Sequence, residues 1–149
     1  MRALAAAIFA ALLMLSPLAA QAQTAADILT ANRALVEKSS RQTIGPVIAA
    51  LAASGDPQAA AILSAWADKG LGIRKSDGAF LLISASGAGY ALTALDGTDA
   101  GTAPKSDITE LRPNAGVRGL IATALVQFQL SDPDRSQREA ALTAIARDA

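Results

Sequence analysis

Apolar residues recur at helical spacing through the first half of the chain, with Ile28, Ala31 and Leu35 in one stretch and Ile44, Val47, Ile48 and Leu51 in the next. Two helices are therefore expected between Thr24 and Ser54, meeting near Ser39 to Thr43. Ser54-Gly55-Asp56-Pro57 reads as a stop and a restart. Glycine ends one helix, aspartate caps the next and proline occupies its first turn. The third helix carries Ala59, Ile62, Leu63 and Trp66 on one side. Trp66 is the single tryptophan and is expected to fill the gap between paired helices.

The spacing switches after Lys69-Gly70. Leu71 to Arg74 and Ala79 to Ile83 are short strand-like runs on either side of Lys75-Ser76-Asp77-Gly78. An Asp-Gly pair in such a place signals a hairpin because it tolerates positive φ. Ser84 to Gly89 reads as a small-residue loop. Tyr90 to Leu95 and Thr98 to Thr102 form a second, weaker hairpin pattern around Asp96-Gly97. Asp107 to Arg112 fits either a short strand or one helical turn. Helical spacing returns with Val117, Leu120, Ile121, Ala124, Leu125 and Phe128. Ser131-Asp132-Pro133-Asp134 then repeats the earlier Asp-Pro turn before a last helix with Ala141, Leu142 and Ile145. The pattern predicts a mainly α protein with a small β insert at about residues 71–103, in which HEAT-like antiparallel helix pairs flank one or two β-hairpins.

Residues 1–22 have the three parts of a secretory leader: Arg2, the apolar run Ala3 to Leu15, and Ala20-Gln21-Ala22 as the cleavage site. The run is shorter than the roughly 20 apolar residues a membrane crossing needs. Residues 23–149 are then one exported domain on the periplasmic side of the inner membrane. Hydrophobic residues make up 52% of the chain, largely as alanine, so closely approaching helices rather than aromatic clusters are expected in the core.

Composition removes several chemistries. The 13 basic residues, one of them Arg2 in the leader, face 13 acidic ones, so no basic excess is left for a nucleic-acid backbone. Cysteine and histidine are both absent, which excludes disulfides, the usual zinc and copper sites, and thiol or Ser-His nucleophiles. Asp96, Asp99 and Asp77 are the carboxylates nearest to a hydrolytic or calcium pattern, but turn chemistry explains them, because Ala100 and Gly101 stand where further oxygen ligands are needed. Gly87-Ala88-Gly89 lacks the Lys-Ser/Thr pair of a phosphate loop. Ser84 and Ser86 lie in no nucleophile elbow. No catalytic, cofactor-binding or metal-binding residue is assigned, and the chain is read as a non-enzyme. Arg74, Lys75 and Asp77, at the first hairpin tip, are the candidate residues for contact with a partner.

Leu71-Gly72-Ile73-Arg74-Lys75-Ser76-Asp77-Gly78 resembles the hairpin, often Leu-Tyr-Tyr-Arg-Lys-x-Asp, in the extracytoplasmic N-terminal region of bacterial urea ABC transporter permease subunits of the branched-chain amino acid permease type. Tyr90-Ala91-Leu92-Thr93 with Asp96-Gly97 is similar to that region's second hairpin. Leu130 to Arg135 with Arg138-Glu139-Ala140-Ala141 is similar to its next turn and helix. Gly72 and Ile73 stand where the family commonly has aromatics. The family's Asn-Asn-x-Leu-Arg segment is replaced by Arg112 to Arg118. The resemblance implies the front of a permease, truncated before its transmembrane part. Its partners would be a periplasmic binding protein, a second permease and ATP-binding subunits. It also implies a role in urea uptake through protein contact, with a free-standing periplasmic helical-repeat adaptor as the alternative.

Overall fold

A computed structural model describes residues 23–147; the expected leader, residues 1–22, lies outside them. Among the described residues are six α-helices: α1 (Ala25–Ala31), α2 (Arg33–Glu37), α3 (Gly45–Ala53), α4 (Ala59–Ala67), α5 (Ala115–Leu130) and α6 (Arg135–Arg147). Between α4 and α5 lie β1 (Leu71–Arg74), β2 (Phe80–Ser86), β3 (Gly89–Ala94), β4 (Asp99–Pro104), a 3-10 turn (Lys105–Asp107) and β5 (Ile108–Glu110).

The strands form one antiparallel sheet in the order β4-β3-β2-β1-β5. This corrects the expectation of a mainly α protein with HEAT-like helix pairs around separate hairpins. The architecture is mixed α/β, with a five-stranded sheet at its centre. Two local sequences account for the difference. Ser84 to Ser86 do not form a loop but continue β2 as far as Ser86↔Gly89, so the two expected hairpins fuse into a meander. Ile108–Glu110 then pairs with β1 in the register Gly72↔Glu110, Ile73↔Thr109 and Arg74↔Ile108.

Chain length forces this sheet to roll. Pro104 and Ile108 sit on opposite edge strands, four Cα steps apart, and can be separated by no more than about 15 Å. A flat five-stranded sheet would place its edges about 19 Å apart. The two residues also lie level with opposite ends of β2, since Pro104 aligns with Ser86 through Gly89 while Ile108 aligns with Arg74 near Phe80. Only a strongly coiled sheet brings them together. Its concave side encloses a small second core of Leu81, Ile83, Leu92 and Ile108, packed by Tyr90, Ala94, Ala100 and Ala103. The convex side of β1 and β2 presents Leu71, Ile73 and Phe80 to the main core, where they join Val36, Leu51, Ile62, Trp66, Val117 and Ile121 of the helices. Trp66 is fully buried there.

Gly72 makes the coil possible. A Cβ at this position would lie 2.9 Å from Ile108 Cγ2 and 3.1 Å from Ile83 Cδ1. The isoleucines of β2 and β5 therefore meet across β1 in the space its missing side chain leaves. The helix before β1 ends equally tightly. The amide of Gly70 donates to Ala65 O at 2.6 Å and that of Lys69 to Trp66 O at 3.1 Å, a paired closure in which Lys69 takes the left-handed conformation at φ 65°.

The helices are tied down by short polar devices. Thr24 and Asp27 form a reciprocal capping box at the start of α1. Asp56 accepts from the amide of Gln58 at 2.8 Å within the α3–α4 turn, and from the amide of Ala25 at 2.8 Å across to α1. Asn114 caps α5 by accepting from the amide of Val117 at 3.0 Å.

Replacing Gly72 with valine should destabilise the fold by about 1–3 kcal/mol, the usual cost of forcing extra methyl groups into a packed core. Urea unfolding curves of Gly72→Val beside the parent chain give the number. An unchanged midpoint would show that the coil does not depend on this contact.

Candidate functional site

The β1–β2 turn carries the three residues singled out by the sequence, and the structure brings all three together. Gly78 adopts φ +71°. Asp77 Oδ1 accepts from the amide of Ala79 at 3.1 Å, the geometry that an Asp-Gly bend favours. Arg74 donates to both oxygens of Asp77, Nε to Oδ1 at 3.1 Å and Nη2 to Oδ2 at 2.7 Å, a two-pronged pair inside one turn. Lys75 Nζ donates to the carbonyl of Ser106 at 2.6 Å, tying the tip to the 3-10 turn. Each of the three charges thus has an intramolecular partner.

A fourth residue completes the tip. Arg33, at the start of α2, donates to the carbonyl of Gly78, lies 5.0 Å from the centre of the Phe80 ring, and pairs with Glu37 at 3.4 Å. It fastens the hairpin to the helical layer. Nothing in the local sequence announces this role, because Arg33 and Gly78 are 45 residues apart and no periodicity connects them.

The Arg74 guanidinium and the Ala79 amide hold the Asp77 carboxyl down from its ordinary 3.8 to about 2. Asp96 is lowered by the amide and then the hydroxyl of Thr98, and Asp134 in the same way by Ser136. Asp99 Oδ1 accepts from the amide of Gly101 at 2.8 Å. The carboxylates of the sequence pattern are therefore engaged by their own turns. Among the described residues no group of three or more acidic side chains is placed to hold a metal ion.

Two depressions flank this region. A cleft of about 510 Å3 lies between the start of α1, the α3–α4 turn and the β3–β4 turn, with Thr24, Asp56, Gln58, Leu95 and Asp96 on its wall. Both oxygens of Asp56 are already accepting backbone donors there. A groove of about 360 Å3 runs between the end of α2 and β5, with Val36, Ile73 and Leu111 as its apolar floor and Lys38, Glu110 and Arg112 on its rim. This groove had no sequence signal, since it exists only once β5 has paired with β1. The arrangement offers recognition groups, and its carboxylates are held in structural contacts. Among the described residues no helix is long and apolar enough to cross a membrane. The chain matches no protein-family model, no curated protein and no solved structure.

The Asp77 shift sets a pH dependence of known sign. A carboxyl whose value falls on folding contributes stability that is fully present above 3.8 and is lost as pH drops through about 2. Asp77→Asn keeps the acceptor for Ala79 and removes the charge. The variant should lose less stability than the parent chain between pH 4 and pH 2, as measured by urea midpoints across that range. Parallel curves would show that the Arg74 pair does not contribute.

Proposed function

We propose that this chain is the extracytoplasmic front domain of a urea ABC transporter permease, and that it serves urea uptake by contacting other transporter subunits rather than by catalysis. The observation that carries this reading is the ordered set of family-like segments, each of which falls on a strand or on a bend between elements. Leu71–Gly78 is β1 with its turn, Tyr90–Thr93 lies in β3, Asp96-Gly97 is the next bend, and Ser131–Asp134 separates α5 from α6. Substituted family positions also have a physical account. Where aromatics are common, Gly72 leaves room for Ile83 and Ile108.

Support for contact over catalysis comes from composition and site together. The sequence has no histidine or cysteine, and the carboxylates of the turns and of the cleft beside the start of α1 accept backbone donors. What remains is a rigid sheet with charged tips and a groove, which suits recognition. The domain would act at the periplasmic face of the inner membrane, beside a binding protein, a second permease and ATP-binding subunits.

An in-frame deletion of the codons for residues 23–149, with the leader and any downstream sequence retained, tests the reading. Uptake of labelled urea should fall to the level of a strain without the permease, and a plasmid-borne copy should restore it. Normal uptake after deletion, with the protein still present in the membrane fraction, would overturn the proposal.

A further inference from the structure

The two edges of the coiled sheet are not alike. On β4 the ladder is irregular between Ala91 and Thr93, Gly101 takes φ +82°, and Pro104 lacks a donor, all features that keep another strand from adding. Strand β5 has none of them. Its register places Thr109 opposite Ile73, while the amide of Leu111 donates to Leu71 O and the amide of Lys75 donates to Asp107 O. Asp107, Thr109 and Leu111 therefore face β1, and the alternation of an antiparallel ladder turns the amides and carbonyls of Ile108 and Glu110 outward. The amide of Ile108 turns back to the carbonyl of Lys105 and closes the 3-10 turn, whereas the carbonyl of Ile108 and both backbone groups of Glu110 have no hydrogen-bond partner among the described residues.

The unpaired part of this edge borders the groove floored by Val36, Ile73 and Leu111. Unpaired backbone beside an apolar floor specifies its occupant, because only an extended chain supplies backbone donors and acceptors at strand spacing and alternate side chains for a pocket. The rim adds a charge preference. Glu37 is paired with Arg33 and Glu110 with Arg112, whereas Lys38 makes no ion pair among the described residues.

We propose that the β5 edge is a strand-addition site for an extended segment of another transporter subunit, one that places an apolar side chain in the groove and a carboxylate beside Lys38. The proposal rests on the reading of the chain as a transporter domain and names the surface that reading needs. Main-chain pairing at β5 supplies register, the groove supplies selection for an apolar residue, and Lys38 selects its acidic neighbour.

The test uses the intact transporter in its own membrane, with a photo-crosslinking amino acid at Thr109 and, separately, at Thr102, exposed on the guarded edge. The Thr109 probe should capture one transporter subunit, and peptide mapping should place the adduct in a non-helical segment with adjacent apolar and acidic residues. The Thr102 probe should not capture it. Glu110→Pro removes an outward donor without touching the β1 ladder and should cut the yield about tenfold, the factor equivalent to one lost hydrogen bond, while Glu110→Gln should not. Lys38→Glu, exposed and outside the ladder, should reduce the yield as well, which covers the case in which the proline variant fails to fold. No adduct at Thr109, an adduct in a helix, or a yield indifferent to both Glu110→Pro and Lys38→Glu would overturn the site. Urea uptake in the deletion strain separates the two failures: uptake that needs the domain while Thr109 captures nothing rejects only the strand site, and uptake that does not need it rejects the transporter reading.

Discussion

The short link from β4 to β5 is the constraint on which the rest of the molecule depends. Three residues of 3-10 turn, Lys105–Asp107, join the two edges of a five-stranded sheet, so the sheet coils until its edges approach. Coiling gives the sheet two working faces. One encloses Leu81, Ile83, Leu92 and Ile108, and the other presents Leu71, Ile73 and Phe80 to the helices. Small residues along the seam, Ala100 and Ala103, match the narrow interior, and Gly72 removes the one side chain that would hold β2 and β5 apart. The small second core is thereby buried without a helical cover.

Attachment of the helices to this coil is mostly apolar, with a few long-range polar fasteners at the margins. Asp56 joins the α3–α4 turn to the first turn of α1, and Arg33 joins α2 to the hairpin tip. Both act between segments far apart in sequence, and such contacts form only after the loops between them have closed. Within the main core, Trp66 is fully buried and its indole N–H has no hydrogen-bond partner among the described residues. Leaving such a donor unpaired costs roughly 1–3 kcal/mol. The burial of a large ring at the junction of α4, α5 and the sheet outweighs that loss, because an aromatic of this size removes about 150–250 Å2 from water.

Local features of the fold were legible and non-local ones were not. Asp77-Gly78 and Asp96-Gly97 marked bends because their φ requirements are written in single residues, and Gly78 and Gly97 do take positive φ. The Gly55-Asp56 stop and restart was visible for the same reason. Asn32, by contrast, breaks the first predicted helix into α1 and α2, with its side-chain amide donating to Ile28 O at 2.8 Å. Its neighbours kept helical spacing, so periodicity passed over the break. The sheet was underestimated because Ser84-Ala85-Ser86 has neither the alternation nor the bulk of a strand. These residues are exposed at the end of β2, held there by pairing with β3 and not by their own propensity. Strand β5 was ambiguous because three residues carry no period, and its partner β1 is more than thirty residues upstream.

The same division applies to function. The charges that stand out in the sequence, Arg74, Lys75 and Asp77, are spent on the tip itself: two form a pair, and the third bonds to the 3-10 turn. A residue held in such a contact has fewer free donors and acceptors to offer a partner. Exposed pairs of this kind also add little stability, so their value lies in setting the shape of the turn. Free recognition capacity is found instead where the sequence was silent, at the outward carbonyl of Ile108 and the amide and carbonyl of Glu110 beside the groove floored by Val36, Ile73 and Leu111. Those groups are generic in sequence and become specific only through the register of β5 on β1.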